Sequence, residues 1–146
     1  MLCADTSFLF SLYRKDAHTA AAVAYLTAAA EPLLLSGLNE YEFGNALRFA
    51  EFRGLLTAGE AARRLEAFAE DRQAGRWQYS RIPLEDILAE ASEISSRHTV
   101  QGGHRAFDIL HVAHAQLAAP KRFLSFDDNQ RKLAKTAGLV VGPNLT

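Results

Sequence analysis

The chain has few of the features that mark secreted or membrane proteins. It contains a single cysteine, Cys3, so it can form no internal disulfide. No apolar run approaches the roughly 20 residues needed to cross a bilayer, and no basic segment with a following apolar run opens the sequence. These absences exclude the disulfide-stapled class and predict a cytoplasmic protein with no membrane partner, in which Cys3 is a small core residue rather than a reactive thiol.

Net charge is also nearly absent, at −1, so the overall balance does not indicate nucleic-acid binding. The distribution is uneven, however. Residues 1–96 carry nine Lys/Arg against fourteen Asp/Glu, whereas residues 97–146 carry seven against three. Two interpretations stay open: the basic C-terminal third faces a phosphate backbone, with Arg105, Lys121 and Arg122 as candidate contacts, or the segregation is a chance property of a solvated surface.

Short apolar runs alternate with longer helical stretches over the 146 residues, a length that predicts one domain spanning 1–146. The predicted strands are 2–5, 33–36, 77–83, 123–126 and 139–142. Helices are predicted over 18–31, 38–52, 84–94, 106–119 and 128–137, with a further helix after a capping box at Thr57 and Glu60 and a loop over 99–105. Because most strands are apolar throughout, they are expected to be covered on both faces, which predicts a three-layer α/β/α sandwich with a central, mostly parallel sheet.

Four acidic residues in apolar surroundings are the main chemical feature of the sequence: Asp5, Glu42, Asp108 and Asp127. Asp5 and Asp127 follow predicted strands, at the sheet edge where ligands gather in such folds. Glu42 and Asp108 lie on predicted helices that can reach the same edge. Converging carboxylates repel one another unless a cation joins them, so this set predicts an oxygen-only site for Mg²⁺ or Mn²⁺.

A simpler role is open for two of these acids. Asp5 is followed by Thr6, and short polar side chains suit the first turn of a helix, so Asp5 can be an N-cap. The segment at Asp127 repeats the arrangement, with Ser125 before it and Asp128 after it. Capping is therefore an alternative for one of the two adjacent aspartates, and Thr6, Ser125 and Asp128 are expected to support the site.

The two helical acids need separate arguments. On a helix, the neighbours of Glu42 are Leu38, Asn45, Ala46 and Phe49. This largely apolar set predicts a core-side face, while Glu40 on another face is a rival.

Asp108 shares its helical face with His104 and His111, at i−4 and i+3. This set is compatible with a salt bridge, a proton relay, a phosphate-facing or structural group, or metal ligands.

Four segments carry a family resemblance, and they are Asp5-Thr6-Ser7, Glu42-Phe-Gly-Asn45-Ala46-Leu47, Asp108-Ile-Leu-His111-Val-Ala113 and Phe123-Leu-Ser125-Phe-Asp127. In this order and spacing they resemble the PIN-domain ribonucleases, in particular the toxins of VapBC-type toxin–antitoxin pairs. The resemblance covers essentially the whole chain, with Ser125 in place of the usual threonine. Glu40 remains a rival because related toxins can be aligned with the conserved glutamate there.

The resemblance implies a metal-dependent endoribonuclease of PIN fold, in which Asp5, Glu42, Asp108 and Asp127 bind Mg²⁺ or Mn²⁺ that activates water. It also implies a homodimer and a small antitoxin. Four carboxylates would attract a basic antitoxin side chain, and Leu12, Tyr13 and Phe52 are candidates for an apolar groove that takes the rest of the partner, with core packing as the alternative for each.

Two other interpretations compete with a ribonuclease. One is a non-catalytic PIN-like module that binds RNA or a partner. The other is a different phosphohydrolase, but a haloacid-dehalogenase nucleophile needs Asp-x-Asp after the first strand, where position 7 is serine, and the sequence has no adjacent His-Asp pair for an HD-type enzyme.

Overall fold

The computed structural model describes residues 1–145, and its elements follow in chain order. They are β1 (Leu2–Ala4), α1 (Thr6–Tyr13), α2 (Thr19–Ala29), β2 (Leu33–Leu35), α3 (Gly37–Phe52), α4 (Glu60–Gln73), β3 (Trp77–Tyr79), α5 (Leu84–Gly102), α6 (Ala106–Ala118), β4 (Arg122–Leu124), α7 (Asp128–Thr136) and β5 (Val141–Gly142). None of the helices in this part of the chain combines the length and apolar character of a membrane span.

The five strands form one sheet in the order β3-β2-β1-β4-β5, and every neighbouring pair is parallel. The central strand β1 is buried on both faces: Leu2 and Ala4 belong to one core cluster, and Cys3 belongs to the other. An apolar sequence without alternation is what such a doubly covered strand requires. The predicted three-layer α/β/α sandwich with a parallel sheet is therefore confirmed.

Two groups of helices form the outer layers. The first core cluster takes its large side chains from α1, α3 and α4, among them Phe8, Phe43, Leu47 and Phe68. The second takes them from α5, α6 and α7, among them Ile87, Ile94, Val112 and Leu133. Burying each of these side chains contributes about 1.5–3 kcal/mol, so the two clusters fix the helices on the sheet.

Several predicted boundaries need correction. The strands are shorter than predicted, and β3 ends at Tyr79 rather than at residue 83, since the chain then turns towards Pro83, the N-cap of α5. The predicted loop over 99–105 is wrong for its first half, because α5 continues to Gly102. Gly103 ends that helix at φ +66°, a left-handed conformation that favours glycine.

The helix caps differ from the prediction in one case. A full capping box lies at the start of α3, where Ser36 and Asn39 each bond the other's backbone N–H. At the predicted box, the Thr57 N–H donates to Glu60 Oε2 at 2.8 Å, but the N-cap of α4 is Gly59, without a side-chain hydrogen bond. Only half of that predicted box therefore forms.

Candidate active site

An open cleft of about 490 Å³ lies beyond the carboxyl ends of β1 and β4. All four acids singled out in the sequence line it, together with Thr6, Ser7, Ala46, Arg105, Ala106 and Phe107. They come from four separate parts of the chain, since Asp5 follows β1, Glu42 lies in α3, Asp108 in α6 and Asp127 after β4.

Asp5 is both a helix cap and part of the cleft. Its Oδ1 accepts from the Phe8 N–H at 2.9 Å, which caps α1, and from Ser7 Oγ at 2.7 Å. Its Oδ2 accepts from Ser125 Oγ at 2.6 Å. Only 3% of Asp5 is exposed, and this burial raises the pKa of its carboxyl group against the opposing effect of these three hydrogen bonds. The capping interpretation is thus confirmed for Asp5, and it coexists with a place in the cleft.

Glu42 is half-buried and reaches the cleft from α3. Its Oε1 accepts from His111 Nε2 at 2.8 Å and from the hydroxyl of Thr6. Burial acts to raise the pKa of Glu42, but the hydrogen bonds from His111 and Thr6 and the charge of Arg105 together bring it below its ordinary value. Glu42 is therefore ionised at neutral pH.

Asp108 lies in the first turn of α6, where a negative charge is favoured by the helix dipole. Its Oδ2 accepts from Arg105 Nε at 2.9 Å. The Arg105 side chain is 78% exposed, so this ion pair lies at the mouth of the cleft and is readily exchanged for another partner.

Asp127 caps α7, as its Oδ1 accepts from the Gln130 N–H at 2.8 Å. The buried side chain of Gln130 also donates to the Asp108 backbone carbonyl at 3.0 Å, which ties the two acid-bearing segments together. The Ser125 hydroxyl accepts from the Asp127 N–H at 3.1 Å and donates to Asp5 Oδ2. Asp128, proposed as a supporting residue, is exposed and is not among the residues that line the cleft.

Three other predicted candidates lie away from the cleft. Glu40 accepts from the Tyr79 hydroxyl and lines a different cavity, beside α4 and Trp77. Lys121 immediately precedes β4, and its Nζ lies 2.6 Å from Glu31 Oε1, so it sits at the amino end of the sheet. Arg122 is the first residue of β4 and therefore lies at the same end of the sheet.

The core-side face predicted for Glu42 from its helical neighbours needs correction. The core face of α3 runs through Asn39, Phe43 and Leu47, which are fully buried, whereas Phe49 is 54% exposed. Glu42 lies beside that face rather than on it. Its location in the cleft follows from the packing of α3 against α1 and α6, which periodicity does not show.

His111 and Asn39 are the site residues whose role the sequence left open or missed. His111 is 2% exposed and contacts Glu42, while Asn39 is 1% exposed and contacts His111. His104, the other histidine on the predicted face, is not among the residues that line the cleft. The Ser-x-x-Asn spacing of a capping box was the one sequence feature that could have identified Asn39.

The donor atoms of the cleft decide which metal it could hold. Within residues 1–145, no three His, Cys, Asp or Glu side chains are grouped closely enough to form a ready-made metal site. The cleft nevertheless offers carboxylate and hydroxyl oxygens alone, the donors that Mg²⁺ and Mn²⁺ prefer. The donor chemistry therefore fits a hard divalent cation.

Comparisons with known proteins agree with this description. A family model described as the PIN domain matches residues 2–136. No curated protein matches the chain.

Three solved structures share the fold at 20% sequence identity. The crystal structure of Mycobacterium tuberculosis VapC20, described as a Sarcin-Ricin loop cleaving toxin, has a TM-score of 0.68 and covers 96% of this chain and 97% of that one. FitAcB from Neisseria gonorrhoeae has a TM-score of 0.61, with coverage of 98% and 97%. PAE2754 from Pyrobaculum aerophilum has a TM-score of 0.60, with coverage of 96% and 82%.

Proposed function

The chain belongs to the PIN-domain family, and on that premise we propose that it is a metal-dependent endoribonuclease, the toxin of a toxin–antitoxin pair. One observation carries the proposal. Four carboxylates from four distant segments line a single cleft at the carboxyl edge of a parallel sheet. The reaction is the addition of water across a P–O bond of RNA, which leaves a phosphate on one fragment and a hydroxyl on the other.

Asp5, Glu42, Asp108 and Asp127 would hold Mg²⁺ or Mn²⁺ through carboxylate oxygens. When bound, the cation supplies an activated water and stabilises the charge of the reacting phosphate. The protein keeps these acids in place: Asp5 through Ser7, Ser125 and the Phe8 N–H, and Asp127 through its helix cap. Glu42 is already ionised, so it can accept a cation without losing a proton first.

Arg105 is the basic residue best placed to bind the RNA backbone. It lines the cleft and its side chain is largely exposed. A phosphate that approaches the cleft can replace Asp108 as the partner of Arg105, which would free the Asp108 carboxylate for the cation. Lys121 and Arg122 lie at the amino end of β4, away from the cleft. They would contact the RNA only if the RNA chain extended from the cleft around the protein to that end of the sheet.

A small antitoxin is the partner that this function requires. A guanidinium group placed in the cleft would bridge two carboxylates and occupy the position of the metal. A second cavity, of about 620 Å³, runs along α1 and α2 and is lined by Leu12, Tyr13, Val23, Leu26 and Trp77, among others. It suits an amphipathic segment of the antitoxin. Phe52, the third candidate for this groove, is 84% exposed and lies outside it.

A homodimer in the cytoplasm completes the proposal. The dimer is supported by the C-terminal half of α3, where Phe49 and Phe52 stack on each other and are both largely exposed. Light scattering of the purified chain tests the dimer directly, and Phe52→Ser is the variant expected to shift it towards monomer.

The nuclease is tested with the purified 146-residue chain and synthetic single-stranded and hairpin RNAs. Cleavage is expected with Mn²⁺ or Mg²⁺ and not with EDTA. It should be lost in Asp5→Asn and in Asp108→Asn, and kept in the control Asp128→Asn, whose acid lies outside the cleft. Retention of metal-dependent cleavage in both cleft variants would overturn the site. RNA binding by the wild type without any cleavage would favour the alternative, a non-catalytic PIN-like binding module.

A further inference from the structure

A buried polar network connects three of the elements that carry the cleft acids. Asn39 in α3 donates from Nδ2 to the Ala4 carbonyl at 2.9 Å and lies 3.2 Å from His111 Nδ1. His111 in α6 in turn lies 2.8 Å from Glu42 Oε1. Ala4 immediately precedes Asp5, and His111 is one helical turn beyond Asp108. The network thus joins the backbone beside Asp5 to Glu42 and to the helix of Asp108.

The orientation of the Asn39 amide is determined by its partners. Its Oδ1 accepts from the Ser36 N–H at 2.9 Å, as part of the capping box. Its other end faces the Ala4 carbonyl, which can only accept. A flipped amide would place two acceptors against each other at Ala4 and two donors at Ser36. The side of Asn39 that faces His111 is therefore the NH₂ group.

This orientation determines the proton position on His111. Because Asn39 donates to Nδ1, that nitrogen carries a lone pair, and the ring proton is on Nε2. Nε2–H then donates to Glu42 Oε1, and the Thr6 hydroxyl donates to the same oxygen. Among residues 1–145, no hydrogen bond reaches Glu42 Oε2, so that oxygen is available to the cleft.

We propose that Asn39 and His111 are positioning residues that hold the Glu42 carboxylate with Oε1 turned inward and Oε2 turned to the metal. The proposal rests on the proposed function, in which Glu42 is a metal ligand. Groups that hydrogen-bond a ligating carboxylate fix its direction, and losing one typically costs 10- to 100-fold in metal affinity. Both residues are almost fully buried, so the arrangement is in place before any cation or RNA arrives.

The first test is spectroscopic and needs neither metal nor RNA. Long-range ¹H–¹⁵N correlation spectra of the 146-residue chain in EDTA report which nitrogen of each histidine carries the proton, and the His111→Gln spectrum assigns the His111 signals. Nε2 of His111 is expected to be protonated and Nδ1 to have the shift of a hydrogen-bonded, unprotonated nitrogen. A proton on Nδ1 would overturn the proposed network.

The second test measures Mn²⁺ binding by calorimetry, without RNA, in two variants of matched polarity. In His111→Gln the amide nitrogen lies close to the former Nε2 position and can still donate to Glu42. In His111→Asn the side chain is too short for its amide nitrogen to reach Glu42. Mn²⁺ affinity is expected to fall 10- to 100-fold in His111→Asn and to stay within about threefold of the wild type in His111→Gln. His114→Gln, on the same helix and also buried, is the control and should bind as the wild type does.

The outcomes separate the two proposals. If the wild type binds no Mn²⁺, the proposed function fails, whatever the histidine spectra show. If the wild type binds Mn²⁺ and both His111 variants bind it equally well, the positioning role fails and the nuclease stands. Circular dichroism of each variant is recorded first, and a His111→Asn protein that does not fold is replaced by Asn39→Ser, which removes the donor to Nδ1 and should weaken Mn²⁺ binding in the same direction.

Discussion

Ser125 Oγ donates a hydrogen bond of 2.6 Å to Asp5 Oδ2, although the two residues are 120 positions apart in sequence. The bond joins the ends of two neighbouring parallel strands, β1 and β4. Neither group is exposed by more than a few per cent. The first acid of the cleft is thus held by a serine that belongs to the segment of the last acid, Asp127.

Ser125→Ala is expected to lower both stability and activity. A hydrogen bond to a charged group contributes about 1.5–3 kcal/mol, and here the loss is not compensated by water. Since this bond lowers the pKa of Asp5 against burial, its removal raises that pKa further, and RNA cleavage should be lost at a higher pH as the solution is acidified. Ser125→Thr keeps the hydroxyl and is the control. pH–rate profiles of the two variants make the comparison, and equal profiles would contradict the prediction.

Asp5→Asn is expected to leave the apoprotein folded and at least as stable as the wild type. Burial raises the folded-state pKa of Asp5, so the stability that this group contributes is present at low pH and is lost as pH rises through that pKa. At neutral pH the charge is therefore unfavourable, and asparagine removes it. Urea denaturation in EDTA measures this effect.

Mn²⁺ gives the same pair of proteins a second readout. At 100 times its Kd, the cation should stabilise the wild type by about 2.7 kcal/mol and should leave Asp5→Asn unchanged. A variant that is stabilised as strongly as the wild type would show that Asp5 is not a ligand.

Glu42→Gln and Glu40→Gln form a matched pair within one helix. Glu42→Gln should reduce RNA cleavage at least 100-fold, because the neutral amide is a poor ligand for a hard cation. Glu40→Gln should cleave normally, since Glu40 lies in a separate cavity beside Tyr79. Initial rates at saturating Mn²⁺ provide the measurement, and a larger loss in the Glu40 variant would reverse the assignment.

Arg105→Gln should weaken RNA binding and reduce its dependence on salt. Each phosphate contact to single-stranded nucleic acid contributes about 0.7 to the slope of log K against log salt concentration, so the slope should decrease by about that amount. Lys121→Gln is the control, because Lys121 pairs with Glu31 at the other end of the sheet. Fluorescence anisotropy in EDTA separates binding from cleavage. If the slope is unchanged in both variants, the RNA backbone does not contact Arg105.

His114 makes stability depend on pH. Burial, followed by the effect of His111, lowers the pKa of His114 from 6.5 to about 4, and in the described residues its Nε2 has no hydrogen-bond partner. The unfolded chain therefore binds a proton here more tightly than the folded one, and the stability present above pH 6.5 is lost as pH falls towards 4. The loss amounts to about 3 kcal/mol at most, at roughly 1.4 kcal/mol per pH unit.

Replacing His114 with leucine tests whether His114 causes the loss of stability at low pH. The variant should lose less stability than the wild type between pH 7 and 4.5, because the titrating group is gone while the volume is similar. Urea denaturation at several pH values gives the comparison. Parallel losses in the two proteins would assign the acid sensitivity to other groups.

Much of this protein follows from local sequence rules. Apolar strands without alternation predicted a parallel sheet covered on both faces, and the structure confirms it. Asp5 and Asp127 could be located because a carboxylate after a strand caps the next helix, an interaction within three residues. Such features depend on a residue and its near neighbours, so a single sequence is enough to reveal them.

Other features depend on the tertiary structure and cannot be predicted from a residue and its near neighbours in sequence. Periodicity put Phe49 on a core-side face, but the faces of α3 are assigned by the elements that pack against it, and Phe49 is exposed. Helix α5 continues to Gly102, through the first part of the predicted loop, and ends because Gly103 adopts a left-handed conformation. The contacts that hold Glu42 come from Thr6 and His111, 36 and 69 residues away. The environment of a buried side chain is set by whichever distant segments fold against it, and that choice is made by the packing of the whole chain.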